Sequence, residues 1–72
     1  MSASFFLDYV KLEFGLKNDA ALARALEVSP PNISKLRHGY IPFGDHWVLT
    51  FYDATGIPIR EIKRMVSDRL IT

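Results

Sequence analysis

Residues 18–39 carry two helix start signals and two stop signals in one short span, and this constrains the fold more than any other feature of the chain. Asn18 is a good N-cap, and Asp19 behind it suits the positive end of a helix dipole. Ala20, Ala21, Ala23 and Ala25 then favour a helix over about 19–26, with Leu22 and Leu26 as its core contacts. Ser29 is placed to cap a second helix. Pro30 and Pro31 fall in its first turn, where a missing N–H costs nothing and the fixed φ is already helical. That helix is about eight residues long, with Ile33 and Leu36 facing inward, Arg37 and His38 suiting its negative end, and Gly39 closing it. The pattern predicts two short helices joined by a turn of about three residues, the order of a helix-turn-helix. The small alanines allow the close crossing such a pair needs.

Helical spacing continues on both sides. Apolar residues at 3, 6, 7, 10 and 14 predict a first helix from Ala3 to Phe14, capped by Ser2 or Ser4 and ended by Gly15. It should bury Phe6, Leu7, Val10 and Phe14, leaving Phe5, Tyr9 and Leu12 on an adjoining face. Tyr40 to Gly44, with Pro42, reads as a loop. Asp45 is placed to cap a fourth helix running to Thr55, with Val48, Phe51, Tyr52 and Thr55 on its core face and Gly56 closing it. Pro58 starts a fifth helix, in which Ile59, Ile62, Met65 and Val66 repeat at helical spacing. Residues 67–72 form an apolar-tipped tail. The expectation is a single all-α domain of five helices over residues 1–72.

At 72 residues the chain is near the lower size for a single self-sufficient core, and it contains no cysteine to staple it. With 49% hydrophobic residues, packing must hold it. His38 and His46 are the only imidazoles, so no His/Cys metal cluster is implied, and no cofactor either. The apolar runs are too short to cross a bilayer, and the start of the chain lacks a basic, apolar leader, so the expected location is cytoplasmic. Neither a glycine-rich phosphate loop nor a grouping of nucleophile, histidine and carboxylate occurs, so an enzyme is not expected. The formal net charge is +1, but no acidic residue falls between Glu27 and Asp45, where Lys35, Arg37, His38 and Tyr40 lie. The positive charge gathers on the second short helix and its exit.

Leu22-Ala23-Arg24-Ala25-Leu26, Val28-Ser29, Ile33-Ser34-Lys35-Leu36-Arg37-His38-Gly39 and Thr55-Gly56-Ile57 together resemble the Cro and phage-repressor type of helix-turn-helix regulator. The resemblance extends from about Leu7 to Val66. It implies a lambda-repressor-like domain, phage or bacterial, whose third helix enters the major groove of double-stranded DNA, with a homodimer on a short operator. The family's base-reading positions fall on Pro30, Pro31 and Lys35, with Asn32 and Ser34 beside them. Lys35 would donate to guanine, and Asn32 would read adenine. Phosphate contacts are expected at the helix starts, near Asn18 and Ser29, and from Arg37, His38 and Tyr40.

Several residues depart from the family pattern. Pro30 and Pro31 replace hydrogen-bonding residues and offer at most apolar contact to a thymine methyl group. Asp19 stands where relatives carry a glutamine that bonds a phosphate, and a carboxylate there either repels the phosphate or merely complements the helix dipole and points aside. Glu27 stands where glycine is common because the backbone tends toward positive φ.

The apolar residues outside the expected core define a candidate dimer or partner face. They are Phe5, Tyr9 and Leu12 on the first helix, Trp47 on the fourth, and Met65, Leu70 and Ile71 at the end of the chain. The alternative reading is a protein-interaction module on the same scaffold, antitoxin-like or a phage-encoded inhibitor, acting through this patch.

Overall fold

A computed structural model describes residues 2–67. Those residues form five helices and no strand: α1 (Ala3–Glu13), α2 (Asp19–Leu26), α3 (Pro30–Arg37), α4 (Asp45–Thr55) and α5 (Ile59–Val66). Each packs on two neighbours, in the ring order α1, α3, α2, α4, α5 and back to α1. The ring closes around one core of Phe6, Leu7, Val10, Leu22, Ala23, Leu26, Ile33, Leu36, Val48, Phe51, Ile62 and Met65. Phe43 comes from the α3–α4 loop to join it. Its ring meets Phe6 edge-on at 5.8 Å and Phe51 at 5.5 Å, and Phe6 and Phe51 meet at 5.0 Å.

The helix ends follow local chemistry. The Ser2 hydroxyl accepts the Phe5 N–H at 3.1 Å, and the Asn18 carboxamide oxygen accepts the Ala21 N–H at 2.8 Å. α1, α2 and α3 all close with a left-handed residue whose neighbours' N–H groups return to the last turn: Leu16 to Lys11 at 2.8 Å, Val28 to Ala23 at 3.0 Å, Tyr40 to Lys35 at 2.8 Å. The left-handed residue is Gly15 in α1 and Gly39 in α3, but Glu27 after α2, at φ 60°. Glu27 thus adopts the backbone for which glycine is usual, at a modest steric cost.

Several expectations need correction. Phe14 is 46% exposed, because α1 ends at Glu13 and the departing chain turns Phe14 away while Leu16 packs on the core instead. On α4 the core face is rotated from the expected one: Trp47 packs partly against the core, and Tyr52 is 43% exposed. Asp45 is the first residue of α4 rather than its cap, and Gly44 precedes it in extended backbone. The Ser29 hydroxyl makes no capping bond, although the helix does begin after it. Met65 is buried, so it belongs to the core and not to a partner face. Leu70 and Ile71, assigned to that face from sequence, lie outside the described residues.

Candidate nucleic-acid interface

α2 and α3 are joined by Glu27, Val28 and Ser29, and the core fixes how α3 is turned. Ile33 and Leu36 are buried, so residues about 100° per step around the helix fall into three zones. The outward stripe is Pro31, Ser34, Lys35 and His38, all exposed, with Pro30 exposed beside it at the start of the helix. Arg37 lies on one flank, and Asn32, half-buried, on the other. Of the expected base-reading residues, the structure brings Pro31, Ser34 and Lys35 together and turns Asn32 partly inward. The Lys35 side chain has no hydrogen bond or ion pair among the described residues, so its ammonium is available to a partner.

Arg37 is placed otherwise. Its guanidinium donates from Nε to Asp19 Oδ2 at 2.9 Å and from Nη2 to Asp19 Oδ1 at 2.7 Å, a fork-to-fork pair. Nη1 donates to the Ser4 hydroxyl at 2.9 Å, and Nη2 lies 3.0 Å from Asp8 Oδ1. Lys11 approaches the same carboxylates, at 3.0 Å from Asp19 and 3.5 Å from Asp8. Ser4, Asp8 and Lys11 share one face of α1, so this cluster ties α1, the start of α2 and the end of α3 together. This geometry works against the expected phosphate contact from Arg37, because four of its five N–H donors are directed to groups inside the domain. Hydrogen bonding from Arg37, helped by Lys11 and opposed by partial burial, holds the Asp19 carboxyl below its ordinary 3.8. Asp8 is lowered too, first by its bond to Arg37, and the Asp19 bond chiefly raises the Arg37 guanidinium further above its already high range.

The two helix starts differ as anion sites. In α3, Pro30 and Pro31 have no N–H, and the Asn32 N–H is taken by the Ser29 carbonyl at 3.0 Å. The start near Ser29 therefore has little to offer a phosphate. In α2, Asn18 caps the Ala21 N–H and its carbonyl accepts the Leu22 N–H, which leaves the Asp19 and Ala20 N–H groups without an acceptor in the helix. Beyond α3, His38 and Tyr40 are both exposed, their rings 6.0 Å apart, on the exit side of the outward stripe.

The residues of the candidate partner face do not all gather. Phe5, at 46% exposure, and Leu12, at 81%, stand on the outer side of α1 with half-buried Tyr9 between them. Trp47 belongs to α4 and meets the His46 ring at 5.2 Å. Sequence reasoning had no means of finding the Arg37 cluster as a whole. The polar stripe Ser4, Asp8 and Lys11 was a signal for it, at helical spacing on α1, but its cation comes from a residue far along the chain.

No helix among the described residues is long and apolar enough to cross a membrane. Compared with family models, curated proteins and solved structures, the chain matches none.

Proposed function

We propose that this protein is a sequence-specific DNA-binding transcriptional regulator, in which α2 and α3 act as a helix-turn-helix and α3 enters the major groove. The observation that carries the reading is the outward stripe of α3. It places Pro31, Ser34 and the unpaired Lys35 side by side on an exposed face beside a three-residue turn. Lys35 would donate to guanine O6 or N7, and Pro31 would pack on a thymine methyl group. The unbonded N–H groups at the start of α2 and the side chains of His38 and Tyr40 would hold phosphates on either side. One eight-residue helix reads only a half-site, so a two-fold dimer on a short, partly palindromic operator is part of the reading. Regulation then works by occupancy, the bound protein blocking or repositioning RNA polymerase.

Fluorescence anisotropy against duplex DNA from the flank of its own gene tests this. Wild type should bind at low salt and weaken steeply as salt rises, because phosphate contacts release counterions. Lys35→Ala should bind about tenfold more weakly. Absence of sequence-selective binding by wild type at low salt would sink the reading. The exposed Phe5 and Leu12 on α1 favour a second one, a protein partner held by apolar contact. Such an interface would hardly respond to salt.

A further inference from the structure

We infer that the outer face of α1 is a docking seam for a helix of another protein, one that sets apolar residues against Phe5, Tyr9 and Leu12 and lysine or arginine beside them. The inference is independent of DNA binding and gives a chemistry to the protein-partner reading above. Phe5, Tyr9 and Leu12 are spaced four and three residues apart on α1, the alternating step of a coiled-coil seam. Leu12 is 81% exposed and Phe5 46%, with Tyr9 half-buried between them, so the stripe is apolar surface that the core leaves uncovered. In heptad terms Phe5 and Leu12 take the d position and Tyr9 the a position. Asp8 and Glu13 then fall on the flanking positions, g and e, whose charges choose the partner and its direction in such pairings. Both are exposed. Asp8 meets Arg37 and Lys11 at Oδ1 alone, and its side chain stays 58% exposed. Glu13 has no ion pair among the described residues.

Those two carboxylates argue against a second copy of this chain as the occupant. In a parallel pair a g residue faces the e residue of the next heptad in its partner, which sets Asp8 against the other copy's Glu13. In an antiparallel pair g faces g, which sets Asp8 against its own counterpart. Either way like charges meet beside the seam, at a cost. Lys11, the only cation of α1, does not relieve it, because it is turned to Asp8 and Asp19. A helix with lysine or arginine at its own e and g positions gains where a second copy loses. The seam is only about one and a half heptads long, so the complex is weak, and the charges select the partner more than they tighten it.

The test uses the full chain, isotopically labelled, and two designed helical peptides of about three heptads, each with leucine at a and d and either lysine or glutamate at e and g. Amide shifts are followed by NMR at low salt. The lysine peptide should move the signals of Phe5, Tyr9 and Leu12 and bind at least about fivefold more tightly than the glutamate peptide. Leu12→Ser, at a position too exposed to hold the core, should weaken the lysine peptide about tenfold. Glu13→Lys should narrow or reverse the preference, a response that an apolar patch without charge selection would not give. Glu13 ends α1, where a lysine suits the helix dipole, so that variant keeps its fold. Equal binding of the two peptides, or a preference that Glu13→Lys leaves unchanged, overturns the basic partner and leaves the purely apolar reading standing. No shift along the α1 stripe with either peptide overturns both. A wild-type dimer in sedimentation that Leu12→Ser dissolves gives the face to a second copy and overturns the inference. None of these outcomes bears on DNA binding.

Discussion

Lys35 and Arg37 are both basic, two residues apart on α3, and about 200° apart around it. The first stands on the outward stripe with no ion-pair partner among the described residues. The second is four-fifths covered and bonded to Asp19, Asp8 and Ser4, on two other helices. The difference teaches that a basic patch in a sequence is not yet a basic surface. One of these cations is available to bind something, and the other joins the domain together. The core residues of the same helix, Ile33 and Leu36, decide which is which, because they fix the rotation of α3.

The contrast between the two cations depends on the residues that orient α3. Ile33→Ala removes a fully buried side chain and should cost about 2–5 kcal/mol in denaturant unfolding. In a domain this small that approaches the whole stability. A cost below about 1 kcal/mol would mean that α3 is not anchored by that face.

Arg37→Met, which keeps the alkyl stem and removes the guanidinium, should cost about 1–3 kcal/mol, as for lost hydrogen bonds between charged groups in a partly covered site. A change within about 0.5 kcal/mol would place Arg37 with ordinary surface cations and erase the contrast with Lys35.

Acid should act through the same cluster. The carboxyls of Asp19 and Asp8 are held below 3.8 in the folded chain, so through that range the unfolded chain binds more protons than the folded one. Their stabilising contribution is complete above the unfolded value and is lost as pH falls through the lower folded values. The denaturation midpoint of wild type should thus be insensitive to these two groups near neutrality and fall below roughly pH 4. Asp19→Asn should show a shallower fall. An acid limb as steep in the variant as in wild type would remove Asp19 from the account.

Lys35→Ala should have the smallest effect on the fold, within about 0.5 kcal/mol, while carrying the loss of DNA affinity proposed above. A substantial loss of stability would mean that Lys35 is tied into the domain as firmly as Arg37.

Much of the fold was legible because it is local. Asn18, the proline pair and Gly39 set the bounds of α2 and α3, and the spacing of Phe6, Leu7 and Val10 marked the buried face of α1. Where the reading failed, a neighbour had decided the outcome. Tyr52 and Trp47 are adjacent to the core stripe of α4 on opposite sides, and only the placement of α2 and α5 against that helix chooses which is covered. Met65 looked available until α5 closed the ring. On the candidate interface, exposure of Pro31, Ser34 and Lys35 followed from helical spacing once Ile33 and Leu36 were taken as core. The occupation of Arg37 did not follow, since Asp8 and Asp19 reach it only after three helices have packed.

Prolines, left-handed turns, some of the caps and helical periodicity act over a few residues, so five helices, their approximate bounds and most of their buried faces could be read from the chain alone. The tertiary structure alone decided what each charge is used for. Ion pairs form between whichever side chains the packed helices bring within reach, and so Arg37 was taken inward to Asp19 while Lys35 was left facing out.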